Sequence, residues 1–479
     1  MFIYFFKGLK ENKIIKAINS FYSSFLWIIL VGVLTLISEA IGKEILVYLL
    51  FVILGVIIPS LFAFDMKGMI APFVFGYITF SRKNNNLSEG LTLTSSPTFK
   101  TTIIILVVLI LFFSLSRLIL DLIYDKERRK NKPTLWLGLL LLGLAYITGG
   151  LLSEYYSFKT FAFGLVEILS LAVGYFFFLY AIDYKTLKND YFAILFTILG
   201  LTLSLQVLFI YLEIGPSEII GSVEFARGNV FTGWGCYNNI GGEIAFTIAA
   251  PAYLVIKKKN SWLYVIVGWL ILTGLFFAQS RGGILFGTII YGISVILFLI
   301  YSDGKNKIIN AVTFLILFIL TALSVIVFWD FFYKIFKNII DSFDSSSLNQ
   351  FSSNRLEIYK FGLSQFKDHP IFGVGFYELD GYRFFNVPGN FIPSRYHNTI
   401  VQILASTGAF GIIAYIYHRY ETIRLTFKRP SIEKTFIFLL ILGLLLTSLV
   451  DCHFFNLGPG LEYSVLLAIL EGKNKIKEI

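Results

Sequence analysis

Long apolar runs separated by short polar segments dominate this chain. A hydrocarbon core of about 30 Å requires roughly 20 apolar residues in a helix. The apolar stretch 66–80 is shorter than this and contains Pro72, so it is a span, a re-entrant segment or an interfacial helix. The pattern predicts an all-α, polytopic membrane bundle of about 12–14 transmembrane helices, forming one domain over residues 1–479. The predicted spans are 21–38, 44–64, 101–121, 134–152, 159–182, 191–212, 237–256, 261–279, 283–301, 308–330, 398–418, 435–452 and 460–471.

The polar positions between the spans predict an orientation. Basic residues cluster beside the apolar runs, as cytoplasmic loops do under the positive-inside rule. If 66–80 crosses the membrane, every cluster from residue 125 onward falls on the same side as the N-terminus. Both termini are then cytoplasmic, and His418 is a solvated residue of a basic inner loop. Residues 331–397 form a long outer loop. The clusters are 7–16, 126–132, 257–259, 418–434 and 473–477.

Composition narrows the class of protein. Charged residues make up 15% of the chain and hydrophobic residues 56%, whereas a soluble domain carries about 25% charged residues. The net charge of +10 is distributed in loops beside spans, so we expect a lipid bilayer and no nucleic acid as partner. Two cysteines, Cys236 and Cys452, exclude a disulfide framework and a cysteine-based zinc site.

The long outer loop contains a helix signal. Asn354 stands three residues before Glu357, which is a capping-box start, and the pair His369-Pro370 ends the run. Between them, apolar side chains recur at helical spacing. The pattern predicts a short amphipathic helix on or in the outer mouth of the bundle. The recurring residues are Leu356, Tyr359, Leu363 and Phe366.

Charged residues inside spans are costly and point to function. Arg117 and Asp121 are four residues apart near the inner end of a helix, and we interpret them as a snorkelling intrahelical pair. Glu167 lies well inside its span, as a packing contact or as the wall of a polar site. Glu243 lies near the outer end of its span, after a glycine-rich turn.

Arginines from three separate loops face outward on this topology: Arg227, Arg281 and Arg355. Arg355 stands in the first turn of the predicted helix, where a cation opposes the helix dipole unless an anion is shared. Guanidinium groups bind phosphates bidentately and stay charged at any pH. The set therefore predicts a cradle for a phosphate or diphosphate; the alternative is that each arginine is solvated or binds lipid headgroups.

His397 is the candidate for proton transfer. It stands directly before a span and close to Arg395. The arginine and the following helix N-terminus favour the neutral, base-competent imidazole. No metalloprotease, phosphate-binding-loop or serine-hydrolase motif is present. Asp341 and Asp344 suggest a carboxylate metal site only weakly, so we expect no metal and no cofactor.

Four segments of the chain form an ordered set of motifs: Arg227-Gly-Asn-Val-Phe with Tyr237-Asn-Asn239, Ala278-Gln-Ser-Arg-Gly-Gly283, Asn354-Arg-Leu-Glu-Ile-Tyr to His369-Pro-Ile-Phe-Gly-Val-Gly375, and Tyr396-His-Asn-Thr with Gly408. These segments resemble the O-antigen ligase and O-antigen polymerase superfamily of bacterial membrane glycosyltransferases. The likeness covers roughly residues 200–420, and its motifs occur in the family's order. The chain departs from the family by having Asn238-Asn239 where Pro-Asn is usual.

The resemblance implies a GT-C-like helical fold in the bacterial cytoplasmic membrane, with the active site on the outer face. It implies transfer of an undecaprenyl-diphosphate-linked glycan to a sugar hydroxyl of a glycan or glycolipid acceptor, without a metal. Arg227, Arg281 and Arg355 would bind the donor diphosphate, and His397 would activate the acceptor. Arg395, Glu243 and Glu167 would support these residues. Whether the enzyme ligates or polymerises stays open, and the alternative class is a transporter or flippase of lipid-linked oligosaccharide.

Overall fold

The computed structural model describes residues 12–80, 97–124, 132–215, 228, 230–232, 235–343, 355–376 and 395–476. Arg227, Asn354 and Asp344 lie outside the described residues, so their predicted roles stay predictions. The described chain is helical apart from a two-stranded ribbon, β1 Phe231–Thr232 with β2 Gly235–Cys236. The predicted all-α membrane bundle is confirmed.

The first half of the described chain supplies ten helices. A π-helical segment, Phe51–Ile57, lies inside α3, and α4 is flanked by two 3₁₀ turns. The helices are α1 Lys13–Tyr22, α2 Phe25–Ile41, α3 Glu44–Phe62, α4 Ile70–Gly76, α5 Pro97–Tyr124, α6 Trp136–Ile147, α7 Phe158–Ala181, α8 Tyr191–Ile214, α9 Tyr237–Thr247 and α10 Ala250–Lys257.

The second half supplies eight more helices in the described residues. A 3₁₀ turn, His453–Phe455, separates the last two. The helices are α11 Ser261–Phe277, α12 Arg281–Tyr301, α13 Gly304–Val327, α14 Trp329–Phe343, α15 Arg355–Asp368, α16 Thr399–Phe427, α17 Ile432–Thr447 and α18 Leu457–Ile476.

Eight helices of the described chain are long and apolar enough to cross a membrane, or nine if the bent pair α1–α2 forms one span. Two shorter apolar helices, α6 and α11, accompany them. Lipid requires each spanning segment to satisfy its own backbone hydrogen bonds, which is why the apolar runs of the sequence fold as helices.

Contacts between loops define the two ends of the bundle. At one end, called here the basic end, Lys258 pairs with Asp190 and Lys475 donates to the carbonyl of Lys132. At the other, the loop end, Thr399 N donates to the carbonyl of Ser448.

The ambiguous stretch 66–80 runs from one end to the other. At its start, Lys67 Nζ donates to Thr186 Oγ1 at the basic end, at 2.7 Å. At its C-terminal end, the carbonyl of Thr79 accepts from Ser38 Oγ at 2.7 Å, and Ser38 lies near the C-terminal end of α2. The predicted total of 12–14 transmembrane helices stays a prediction, because eight or nine helices of the described chain meet the length and apolarity of a span.

Helix α15 has the predicted bounds, although its buried face differs from the predicted stripe. Ile358 and Gly362 are buried, while Leu363 is 46% exposed. Gly362 lies against α16: a Cβ there would meet Val401 Cγ1 at 2.5 Å. The helix therefore packs along α16 through a small residue, and the apolar spacing alone did not identify that face.

Helix α16 is longer than the predicted span 398–418 and is interrupted. Gly408 has φ 65° and ψ −158°, a conformation that only glycine adopts readily. The carbonyls of Ala405 and Ser406 accept from the N–H groups of Val374 and Gly375, at 2.8 Å each. The N–H of Ala409 donates to the carbonyl of Pro370, at 2.8 Å. The segment after α15 thus supplies the hydrogen bonds that the broken helix lacks.

Two polar residues lie where the sequence did not predict them. His418 is fully buried, 3.1 Å from the Tyr463 hydroxyl, so the solvated interpretation is wrong. Arg117 does pair with Asp121 at 3.1 Å, but both side chains are buried and Arg117 also donates to the carbonyls of Ser60 and Phe64. That pair joins two helices instead of snorkelling.

The predicted outer loop, 331–397, begins with a helix that the sequence analysis missed. The preceding helix, α13, ends at Val327, and α14 follows after a single residue, Phe328. The apolar run continued across this junction, so hydropathy alone could not separate a spanning helix from the next one.

Orientation in the membrane is open to a direct test. In a chain whose Cys236 and Cys452 are replaced by serine, Lys360→Cys on α15 should react with an impermeant maleimide added to intact cells. Lys428→Cys at the basic end should react only after the cells are permeabilised, because basic loops stay cytoplasmic. The reverse labelling pattern would contradict the proposed placement of the site on the outer face.

Candidate functional site

Four segments of the loop end meet around Val450, between α17 and α18. A Cβ built on Gly282 would lie 2.3 Å from Val450 Cγ2, so the turn that carries Arg281 packs against this residue. The guanidinium of Arg355 donates to the Val450 carbonyl. The neighbouring residue, Asp451, contacts His397. Three of the predicted site residues are thereby brought to one place by the tertiary fold.

His397 and Asp451 form a histidine–carboxylate pair. His397 Nδ1 lies 3.2 Å from Asp451 Oδ1. When Nδ1 carries the hydrogen, it donates to Asp451 and leaves Nε2 as the proton acceptor. The His397 side chain is 25% exposed and that of Asp451 only 11%. The imidazole is therefore accessible from outside while its carboxylate partner is shielded.

The backbone at His397 is held in an unusual conformation. Its φ is 51°, which costs free energy for a residue with a Cβ, and such strained residues cluster at functional sites. The Tyr359 hydroxyl donates to the His397 carbonyl at 3.0 Å. Asn398 caps α16 by accepting from Ile400 N and Val401 N. These contacts fix the imidazole at the start of the helix.

Asp451 is ionised at neutral pH. Burial opposes its charge, but the hydrogen bond with His397 and the nearby guanidinium of Arg355 hold its pKa below the usual value. Burial lowers the pKa of His453, with further lowering by Arg355, so that imidazole is neutral although Asp451 opposes the shift. The site consequently keeps a carboxylate beside His397 over the physiological pH range.

Arg355 has a partner of its own. Besides Val450, its guanidinium reaches Asp451 Oδ2 at 3.8 Å. The anion predicted to balance a cation in the first turn of α15 is thus supplied, at least in part, by this carboxylate.

Arg281 is the first residue of α12, whose cap Ser280 accepts from Gly283 N at 3.2 Å.

Arg395 and Glu167 are brought together across the bundle. Arg395 Nη2 lies 3.1 Å from Glu167 Oε1 on α7, and both side chains are largely buried. The cationic neighbour predicted to act on His397 is therefore neutralised by Glu167, and the charged group that contacts the imidazole is Asp451. The ion pair instead anchors the segment that carries His397.

Glu243 lies behind this group of residues. It is fully buried in α9, and Glu462 of α18 is buried beside it. The ring of His453 fills the space above Gly242, where a Cβ would lie 2.3 Å from Nε2. No contact of Glu243 with His397 or Arg355 occurs within the described chain, so its supporting role stays a prediction.

Asp451 is the residue that the sequence analysis missed. It lies at the end of the predicted span 435–452, and the sequence analysis gave it no role. A signal was present, because a carboxylate in an apolar loop facing the same side as the arginines is costly without a function. Its partner is 54 positions away, and nothing in the spacing identified it.

Comparison with known proteins agrees with this geometry. No curated protein matches the chain. Residues 266–416 match the family model described as O-antigen ligase, and the match contains Arg281, Arg355 and His397. The resemblance derived from the motifs is confirmed over this range. Residues 266–416 of this chain are therefore similar to the O-antigen ligase family.

Proposed function

We propose that this protein is a membrane glycosyltransferase that moves an undecaprenyl-diphosphate-linked glycan onto a sugar hydroxyl at the outer face of the cytoplasmic membrane. The observation that supports it most directly is the His397–Asp451 pair with Arg355 beside it and the Arg281 turn packed on Val450. A proton acceptor and a set of guanidinium groups are what transfer from a diphosphate requires.

The reaction assigns each side chain a task. The acceptor oxygen attacks the anomeric carbon of the donor, and the bond from that carbon to the diphosphate oxygen breaks. The hydroxyl proton passes to His397 Nε2, while Nδ1–H donates to Asp451 and stabilises the imidazolium that forms. The electron pair of the broken bond leaves with undecaprenyl diphosphate.

The arginines act on the leaving group. Negative charge on the diphosphate grows as the bond breaks, and fixed guanidinium groups in a poorly hydrated site stabilise it without reorganising. Arg281 and Arg355 occupy the same end of the bundle as His397, and Arg227 remains a third candidate. Because permanent cations rather than a metal would neutralise the leaving group, we propose that transfer is independent of divalent ions.

One feature favours the alternative, a transporter of the lipid-linked glycan. Transporters often bind substrates where helices are broken, and α16 is broken at Gly408. The backbone groups of Ala405, Ser406 and Ala409 at the break are nevertheless bonded to the segment 370–375. These groups are thus already satisfied within the chain, which favours the enzyme.

The proposal is tested by transfer in vitro. Purified protein, an undecaprenyl-diphosphate-linked glycan and a candidate acceptor should yield the glycosylated acceptor and undecaprenyl diphosphate. Adding a chelator should leave the rate unchanged, and adding magnesium should not raise it. Loss of activity with chelator and recovery with magnesium would overturn the metal-independent mechanism. Movement of the donor across proteoliposomes without product would instead identify a transporter.

A further inference from the structure

A cavity opens at the basic end of the bundle, far from His397. Its volume is about 700 Å³, within the range of small-ligand sites. Three separate parts of the chain line it: the segment 185–190 before α8, the end of α10 with Tyr253 and Lys257, and the start of α17 at Ser431–Glu433. Nothing in the proposed transfer reaction uses this cavity.

The lining segment 185–190 is held in place by hydrogen bonds from other parts of the chain. Lys67 Nζ donates to Thr186 Oγ1 at 2.7 Å, and Lys67 is itself paired with Asp65. Lys473 donates to the carbonyl of Leu187, and to Asn189 Oδ1 at 2.9 Å. The lining segment is therefore held in place by buried and half-buried groups of two other elements, and the cavity is part of the fold.

The charge of the lining favours an anion. Lys185, Lys188 and Lys257 line the cavity and are exposed, against the carboxylates of Asp190 and Glu433. Asp190 is already paired with Lys258. The N-terminus of the sixteen-residue helix α17 also lines the cavity and adds positive potential there, which Glu433 in the first turn of that helix partly offsets. Hydroxyl groups of Tyr253 and Ser431 add possible hydrogen-bond donors.

We propose that this cavity binds a phosphate group, with Lys185, Lys188 and Lys257 as its charged ligands. Basic pockets between helices at the cytoplasmic side of membrane proteins bind the headgroups of anionic lipids, and a free phosphate ion would use the same ligands. The site lies at the opposite end from the transfer site and does not depend on the proposed reaction.

The test measures phosphate binding by the purified full-length protein in two arms. Phosphatidylglycerol and phosphatidylcholine are compared by native mass spectrometry, and inorganic phosphate is titrated by calorimetry. The variant K185Q/K188Q/K257Q removes the proposed ligands. Its matched control, K259Q/K305Q/K307Q, removes the same charge from exposed lysines at the same end. Ile432→Trp fills the cavity without changing its charge.

We expect saturable binding of phosphatidylglycerol. Both K185Q/K188Q/K257Q and Ile432→Trp should weaken it about tenfold or more, and the control should not. This result identifies a lipid headgroup site. The same dependence with inorganic phosphate alone identifies a phosphate-ion site. The proposal is overturned if the unmodified protein binds neither probe. It is equally overturned if the control variant weakens binding as much as K185Q/K188Q/K257Q, because the attraction is then a property of the whole surface.

Discussion

Replacing His397 by alanine should reduce glycan transfer about 10²- to 10⁴-fold, the usual effect of removing a general base. The side chain of His397 is 25% exposed, and its Nδ1 is 3.2 Å from Asp451. Donor binding should persist, because the proposed diphosphate ligands are on other elements. The measurement is the rate of transfer in parallel with the affinity for the lipid-linked donor.

His397→Gln separates proton transfer from packing. Glutamine can hydrogen-bond to Asp451 but cannot take up a proton at neutral pH, so it should remain inactive. Full transfer by His397→Gln would exclude the proton-transfer role. His369 is a matched control, because it also lies at the loop end and faces a carboxylate, with Nε2 3.9 Å from Glu154 Oε2. His369→Gln should transfer glycan normally.

Replacing Arg281 by lysine should lower the rate of transfer about 10²- to 10³-fold, as expected when one donor to a developing negative charge is lost. Lysine keeps the charge but lacks the planar fork that binds two phosphate oxygens. The rate constant should fall more than donor affinity, since the charge on the diphosphate grows in the transition state. Single-turnover transfer with purified enzyme measures this effect.

The control for Arg281 must distinguish lost chemistry from lost folding. Arg429→Lys changes an exposed arginine at the opposite end of the bundle and should be silent. Arg281→Lys should retain the expression level and thermal unfolding temperature of the unmodified protein. Transfer at the normal rate by Arg281→Ala would show that this side chain is not a donor ligand.

The sequence was sufficient to predict the individual charged and titratable residues of the site. Arg281, Arg355 and His397 stood out because polar residues beside apolar spans are costly, and the structure brings all three to the surroundings of Val450. Their partners were not predictable. Asp451 is 54 positions from His397, and Glu167 is 228 positions from Arg395.

The apolar runs were predictable as helices from the sequence, because in lipid each backbone group must be satisfied within its own helix and an apolar run has no other solution; the helix α14 was not. The bounds of α15 also agree with the local sequence signals, the capping-box pattern before it and Pro370 after it. The tertiary structure alone decided which faces pack, since both faces of a spanning helix are apolar and association depends on close fit. It decided the break at Gly408 as well, because the hydrogen bonds that permit it come from Pro370, Val374 and Gly375. Those contacts, and the carboxylate at His397, exist only once distant segments have packed together.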